Sequence, residues 1–353
     1  MEPKNPSGLN LSGLSVIVPN LHWHYTGVTA TNRMVAPRIA KRFHAAWLGP
    51  DAPEGIDRLT LGDLLALRAR SQRHTPRIWH ARRNNEMLVG LALRGLGWPL
   101  RLVFTSAAQR QHSWITRFLI ARMDAVIATS AASASYLKRA ATVVHHGVDT
   151  DVYCPPGDRA AAFAAAGLPG RYAIGCFGRV RAQKGTDLFV EAMCALLPKY
   201  PDFTAVVIGP VDDRAFASKL EARVQAAGLS DRVRLLGELP IAELPRWYQR
   251  ISIYAFTSRN EGFGLTLIEA MAAGVALVAA RAGAAETVVH EGESGVLVPA
   301  GDAGALTAAI EPLMREPARA QEMGRKARAR VLAEFSVDAE VERIAAVYQS
   351  VLG

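Results

Sequence analysis

The sequence predicts an α/β protein built as two doubly wound domains, each a parallel sheet covered by helices. Three observations carry that expectation. Short apolar runs alternate with helix-period stretches along nearly the whole chain, as they do in βαβ units. The runs are apolar throughout rather than on one side, which suits strands buried on both faces. Turn residues and two prolines break the alternation at Gly147–Asp158, in a chain of 353 residues that exceeds one ordinary core.

In order, SVIVP at 15–19 reads as a buried strand and 26–40 as a helix. Strands follow at 45–48, 77–80, 100–105 and 125–129, with helices at 61–70, 86–96 and 113–123. Beyond the break come strands at 172–177, 204–208, 233–236 and 253–256, separated by helices at 186–197, 215–227 and 243–249. A helix from Leu265, a strand at 275–279, a helix around 286–290 and a strand at 295–299 continue the pattern. Helices at 303–314, 318–333 and 337–351 close the chain, and the run at 160–166 is merely alanine-rich. The domains are therefore expected at 1–155 and 156–336.

Charge is unevenly placed. Residues 1–155 carry 19 Lys+Arg against 9 Asp+Glu, a balance of +10, whereas the remainder balances at −1; eight of nine histidines also fall in the first part. That half should meet an acidic partner: nucleic acid, anionic lipid or an acidic glycan. Three cysteines without C-x-x-C spacing, and an amino-terminal segment without a signal-peptide core, fit a reduced cytoplasm. No apolar run is long enough to span a bilayer.

The most informative stretch is RNEGFGLTLIEAMAAG at 259–274. Glu261 lies in a Gly-Phe-Gly loop and Glu269 about one turn into the helix that follows, on the face carrying Leu265. Gly262 and Gly264 let backbone approach a ligand, and the free amides near Leu265 suit an anion. Gly274 supplies the helix stop. Acids and glycines that merely cap a helix dipole would look the same.

A second loop, GRVRAQKG at 178–185, follows a strand and precedes a helix, so it lies at the default ligand crevice of a parallel sheet. Arg179 and Lys184 could straddle a diphosphate there, or form an ordinary solvated basic loop. The loop does not fit the nucleotide-binding pattern in which a glycine-rich turn ends in Gly-Lys-Ser/Thr.

Together, the Glu-x7-Glu stretch and the Gly-Arg-x4-Lys-Gly loop closely resemble the signatures of the retaining glycosyltransferases of family 4. The resemblance covers residues 171–300, including GAAETVV at 283–289 and GESGVLV at 292–298. It implies the GT-B fold, two Rossmann-like domains facing across a cleft, with the last helix, 337–353, packed back on the first domain. It implies a nucleotide-sugar donor site of Gly27, Arg179, Lys184, Glu261, Gly262, Phe263, Gly264, Leu265 and Glu269. Within it Arg179 and Lys184 bind the diphosphate, Glu261 the sugar and Glu269 the ribose hydroxyls. The phrases FGRVRAQKGTDLFVEAM and HARRNNEM further resemble lipopolysaccharide core mannosyltransferases, implying GDP-mannose as donor and a Kdo-bearing acceptor.

The first domain departs from the family. In YTGVT at 25–29 only Gly27 remains of a usual glycine pair. The family's histidine two residues after a strand-end threonine is missing from Thr105-Ser106-Ala107; His112 is either its substitute or a solvated helix start. Arg82, Arg83 and Asn84, after the strand ending near His80, and Arg110 are candidate acceptor contacts. Asn84 or Asn85 would equally cap a helix.

Arg68, Arg70, Arg73, His74 and Arg77 form a further basic cluster. Trp114, Ile115, Phe118 and Leu119 beside Arg117 and Arg122 suit a membrane surface, but a helix packed on the sheet would show the same stripe and is favoured. Asp149-Thr150-Asp151 copies a metal-binding string of another glycosyltransferase fold, yet the family carries this segment without metal, and no zinc-type cluster occurs. No essential metal or other cofactor is expected, so Glu261, Arg179, Lys184 and His112 are the candidate catalytic groups.

The reading is thus a cytoplasmic, retaining glycosyltransferase acting on an acidic or lipid-linked glycan, in peripheral contact with the inner membrane face. A UDP-sugar enzyme acting on another envelope acceptor and a non-catalytic two-lobed sugar-binding protein are the rivals. A dehydrogenase lacks its G-x-G-x-x-G after the first strand, and a nucleic-acid binder lacks interleaved stacking aromatics.

Overall fold

Runs such as VIVP (16–19), AAWL (45–48), FTAVVI (203–208) and ALVAA (276–280) have no polar edge, and every residue in them is buried. Strands of this kind need cover on both faces, and helices supply it. A computed structural model describes residues 9–23, 26–70 and 75–353. It divides into two compact units, Met1–Gly147 with Val337–Gly353, and Val148–Ser336.

In the first unit, β1 (Val16–Pro19), α1 (Gly27–Ala40), β2 (Ala45–Leu48), β3 (Asp57–Leu59) and α2 (Leu61–Arg70) come first. They are followed by β4 (Arg77–Ala81), α3 (Asn84–Gly95), β5 (Leu100–Ser106), α4 (Trp114–Ile120), β6 (Ala125–Ala128), α5 (Ala131–Ser135) and β7 (Thr142–Val143). The strands pair in parallel in the order β3-β2-β1-β4-β5-β6-β7. Trp47 and Trp79 lie wholly in the core, and their indole N–H groups donate to the carbonyls of Pro50 and Glu86, both at 2.9 Å.

The second unit runs α6 (Arg159–Ala164), β8 (Tyr172–Phe177), α7 (Thr186–Leu196), β9 (Phe203–Ile208), α8 (Arg214–Ala226), β10 (Val233–Leu235), α9 (Leu244–Arg250) and β11 (Ile253–Phe256). It ends with α10 (Leu265–Ala272), β12 (Ala276–Ala280), α11 (Ala285–Val288), β13 (Val296–Val298), α12 (Ala303–Arg315) and α13 (Pro317–Glu334). Its parallel sheet is ordered β10-β9-β8-β11-β12-β13. Gly274 ends α10 as the sequence predicts: its N–H meets the Met271 carbonyl at 3.0 Å and that of Val275 meets Ala270 at 3.1 Å.

The last helix, α14 (Val337–Leu352), belongs to the first unit and packs on α1, β4 and β5. Glu340 accepts from the Gly147 amide at 2.8 Å and lies 3.0 Å from His146 Nδ1, while the Tyr348 hydroxyl meets His80 Nδ1 at 2.6 Å.

Four short elements escape the sequence reading. β3, α5 and β7 span at most five residues, too few for a periodicity to show. The alanine-rich run is helix α6, started by Asp158, whose Oδ1 accepts from Ala160 and Ala161 at 2.8 and 3.1 Å. Arg159 on α6 fixes the frame of this unit. It donates to the carbonyls of Tyr248, Gln249 and Ile251 (3.0, 3.1 and 2.6 Å) and to those of Ala273 and Gly274 (2.6 and 3.3 Å), closing the carboxyl ends of α9 and α10 together.

The stripe on α4 corrects the expectation of a fully packed helix. Thr116, Leu119 and Ile120 face the core, but Trp114 is 71% exposed, and Ile115 and Phe118 are each 50% exposed. Trp114, Ile115 and Phe118 fall on the opposite face of the helix, so they cannot turn inward with the others. Arg122 lies 3.4 Å above the Phe118 ring. Of the basic cluster at 68–77, Arg77 is buried at the start of β4, and Arg68, itself exposed, stacks on Trp98 at 5.1 Å. Arg73, His74 and the side chain of Arg70 lie outside the described residues, as does Tyr25.

Candidate active site

Both sheets reverse their strand order once, between β8 and β11 in the second unit and between β1 and β4 in the first. The crevice beyond the carboxyl ends of such a pair is where open parallel sheets bind ligands.

Beyond β8 the chain passes Gly178 and Arg179, makes a 3₁₀ turn over Ala182–Lys184 and enters α7 through Gly185. Gly185 has φ +68°, and a Cβ there would fall 2.0 Å from the Thr257 carbonyl, so only glycine lets this loop lie on the end of β11. Thr257 Oγ1 donates to the Lys184 carbonyl at 2.9 Å. Lys184 Nζ then donates to Oε2 of Glu261, which also receives Ser258 Oγ at 3.4 Å; Oε1 accepts from the Gly262 amide at 3.1 Å. Arg259 locks the two loops together by bonding both oxygens of Asp187 at 2.8 and 2.7 Å.

Arg179 and Lys184 line one narrow cavity with Phe177, Gly178, Thr257 and Ser258. Lys184 is committed to Glu261, whereas Arg179 is half-exposed and leans on Asp212 at 3.4 Å, sharing it with Arg181 at 3.5 Å. A larger cavity, about 670 Å³, opens beside Pro155, Phe163, Tyr172 and Gly274. It lies at the amino ends of β8 and β12, away from these groups, and is not the site that the sheet topology marks.

Gly264 precedes α10 with φ +95°, and no side chain caps the first turn. The amides there remain available to an anion. Glu269 sits one turn on, among aromatic rings. Tyr248, 4.7 Å from the Phe177 ring, donates its hydroxyl to Oε2 at 2.8 Å. Burial pushes the Glu269 carboxyl up to about 7, against the opposing hydrogen bonds from Tyr248 and Tyr153. The two glutamates are thus differently equipped: Glu261 is paired with a cation, and Glu269 is desolvated.

In the first unit, Arg83 and Glu86 build the crevice after β4. Glu86, wholly buried, accepts from the amides of Arg82 and Arg83 at 2.7 and 3.1 Å and from Arg83 Nη1 at 3.0 Å. Arg83 also reaches Asn20 Oδ1 at 2.9 Å, Thr26 Oγ1 at 3.0 Å and Thr29 Oγ1 at 2.8 Å. The alternative of an asparagine cap does not hold: Asn84 and Asn85 are inside α3, and Glu86 satisfies the amides before it. Asn84 Nδ2 is used on Thr116 Oγ1 at 2.8 Å. Of the four candidate acceptor contacts, Arg83 and Asn84 are engaged within the unit, Arg110 is exposed and Arg82 is buried.

Gly27 opens α1, and a Cβ there would meet nothing within 4 Å, so the backbone does not require glycine; the space beside it is open. His112 Nε2 lies 3.5 Å from Ser106 Oγ, and its pKa is lowered by burial, then by Arg110 and Arg117. His80, inside β4, occupies the position next to Thr105, with Nε2 2.7 Å from its hydroxyl. Asp149 of the Asp-Thr-Asp string turns inward to accept from the amides of Asp151 and Val152 at 3.2 and 3.3 Å. Among the described residues no group of three His, Cys, Asp or Glu side chains could hold a metal.

Sequence reasoning missed Tyr248, Asp187 and Glu86. Glu86 was findable, three residues after Arg83 in the position of a capping acid; Tyr248 carries no local signal, since only the packing of α9 against α10 brings it to Glu269.

Residues 158–330 match the family model described as glycosyl transferases group 1. The chain is 49% identical over 348 residues to the lipopolysaccharide core biosynthesis mannosyltransferase LpcC of Rhizobium leguminosarum bv. viciae, covering 98% of each chain. It is 42% identical over 351 residues to the lipopolysaccharide core biosynthesis mannosyltransferase LpsB of Rhizobium meliloti, covering 98% of this chain and 99% of the relative. Among solved structures it resembles Anabaena Alr3699/HepE, crystallised with UDP and glucose, with a TM-score of 0.79 over 96% of this chain and all of that one. At 21% identity that likeness speaks for the fold alone, and it agrees with the GT-B expectation.

Proposed function

The chain belongs to the group 1 glycosyl transferases, and from that premise we propose that it is a retaining mannosyltransferase moving mannose from GDP-mannose to an acidic, lipid-linked glycan such as the Kdo region of the lipopolysaccharide core. The activity for which two relatives are named, matched along almost their whole length, supports the sugar and the acceptor class. The observation that carries the chemistry is the set of groups at the β8/β11 crevice: Lys184 on Glu261, Arg179 in the same cavity wall, and the uncapped start of α10.

In this reading the donor diphosphate lies between Arg179, Lys184 and the first amides of α10. Negative charge develops on the departing diphosphate, and fixed donors there lower the barrier without reorganising. Glu261 holds the sugar hydroxyls and orients Lys184. Glu269, whose Oε2 is supported by Tyr248, takes the ribose hydroxyls. The acceptor hydroxyl attacks on the face that the diphosphate leaves, through an oxocarbenium-like ion pair, so no protein nucleophile is needed. His112, whose pKa is lowered by burial beside Ser106, is the group to which we assign the role of the family's missing histidine.

The first unit receives the acceptor, and its positive balance draws in an acidic one. Among the described residues no helix is long and apolar enough to cross a membrane. The exposed Trp114, Ile115 and Phe118, with Arg117 and Arg122 beside them, support a peripheral hold on the cytoplasmic face of an anionic bilayer.

A thermal-shift series with GDP, GDP-mannose and UDP-sugars tests the donor, because a ligand that binds the folded state raises its melting temperature. GDP-mannose should protect; protection by UDP-sugars alone would remove the mannose assignment. Turnover should survive chelation with EDTA, since the diphosphate is neutralised by side chains and amides.

A further inference from the structure

Arg82 follows β4 at the strand reversal of the first sheet, and its surroundings leave one positive charge unanswered. Glu86 and Arg83 neutralise each other at 3.0 Å, and the rest of Arg83 is taken up by Asn20, Thr26 and Thr29. His80 supplies no negative charge: burial and Arg82 hold its pKa well below the usual value, and its two nitrogens are bonded to Tyr348 and Thr105. Arg82 itself is only 8% exposed, and its Nε is buried with no hydrogen-bond partner. Among the described residues its guanidinium meets neither a carboxylate nor a carbonyl.

The side chain is thus largely withdrawn from water with a donor left unused, and a buried polar atom without a partner calls for an explanation, of which a ligand is one. Hydrophobic packing of the side-chain stem does not explain the charged end. A planar guanidinium matches the edge of an oxyanion through two parallel hydrogen bonds.

We infer that Arg82 is the specificity-determining anchor for an oxyanion on the acceptor, a sugar carboxylate in the first instance. The inference rests on the proposed transfer to an acidic glycan. Arg83 and Asn84 are then positioning residues that hold the crevice walls, and Arg82 alone of the three reads the ligand.

The test uses the full-length enzyme with GDP-mannose and three acceptors: a Kdo-bearing glycoside, the same glycoside with its carboxyl reduced to an alcohol, and a phosphorylated form of the reduced compound. Wild type should favour the carboxylate over the alcohol by at least about tenfold in kcat/KM, the usual weight of a charge-assisted hydrogen bond. In Arg82→Gln the preference should shrink to within about twofold, mainly through KM for the acceptor, with Arg82→Lys in between because it keeps the charge and loses the fork. If the phosphorylated compound is the one preferred, and Arg82→Gln abolishes that preference, the anchor stands with phosphate as its oxyanion.

An undiminished preference in both variants overturns the anchor while leaving the acidic-acceptor reading intact. A wild type that does not discriminate overturns that reading itself. Melting temperature separates a structural role: Arg82→Gln should melt at or above wild type, and a fall of many degrees would show that the guanidinium serves the fold.

Discussion

The hydroxyl of Tyr248 stands 2.8 Å from Oε2 of Glu269 and is the polar contact that a side chain of α9 makes with the half-buried Glu269 of α10. Because burial pushes Glu269 up to about 7, its charge changes near neutrality. In the proposed donor site ionised Glu269 accepts the ribose hydroxyls, so donor affinity should rise as pH increases through 7 and be lost as it falls. The apo protein should show the opposite trend from this group: a carboxyl raised on folding contributes stability below its unfolded value near 4.5, and that contribution disappears as pH rises towards 7. Tyr248→Phe removes a hydrogen bond to the charged form, which is worth about 1.5–3 kcal/mol. Donor KM at pH 7 should rise about tenfold or more, with the pH midpoint displaced upward; an unchanged pH profile would dissociate Glu269 from donor binding.

Lys184 and Glu261 make a second pair, on which the proposed donor site depends. Lys184→Ala should lower kcat by about 10²–10³, the scale seen when one fixed donor to a developing negative charge is removed. The half-exposed Arg179 should give a smaller loss. Stability should fall by less than about 1 kcal/mol in Lys184→Ala, because the pair is partly solvated. Steady-state kinetics and urea unfolding of the same two variants check both statements, and full activity in both would remove these cations from the mechanism.

Glu86 should behave as a structural residue. It is wholly buried and takes up Arg83 together with two backbone amides. Glu86→Ala leaves the Arg83 guanidinium without its counter-charge and those amides without an acceptor, and should cost about 3–5 kcal/mol in urea unfolding. The loss should far exceed that of any exposed ion pair in the same unit.

For α4 the expectation is reversed. Trp114→Ser with Phe118→Ser removes exposed apolar surface, so the melting temperature should hardly move. Co-sedimentation with vesicles containing anionic lipid should drop several-fold, and neutral vesicles should bind weakly in both proteins. Equal sedimentation of wild type and variant would rule out this face as the membrane hold.

Much of the fold is legible in the sequence because its strands are continuous apolar runs and its long helices keep one periodic stripe. Short elements such as β7 and α5 are not, since they are held by neighbours rather than by their own pattern. The loops at the β8/β11 crevice stand out in the sequence because Gly185, Gly264 and the two glutamates occupy positions where backbone geometry and chemistry restrict the residue. The loop after β4 does not: Arg82, Arg83 and Asn84 are adjacent polar residues with nothing local to separate them. Only packing shows that two of them brace the crevice while the third is left unsatisfied. The α4 stripe misled for a related reason, as amphipathicity does not say how much of an apolar face finds cover.

The five carbonyls gathered by Arg159 set a practical limit on dissecting this enzyme. They fasten the helix bearing Tyr248 to the helix bearing Glu269 from a residue that precedes the first strand of its own sheet. A recombinant fragment of the second unit that begins at Ala160 or later would keep Arg179, Lys184, Glu261 and Glu269 and still lose the brace between α9 and α10. Trimming such a fragment to its visible sheet would therefore damage the pocket from behind.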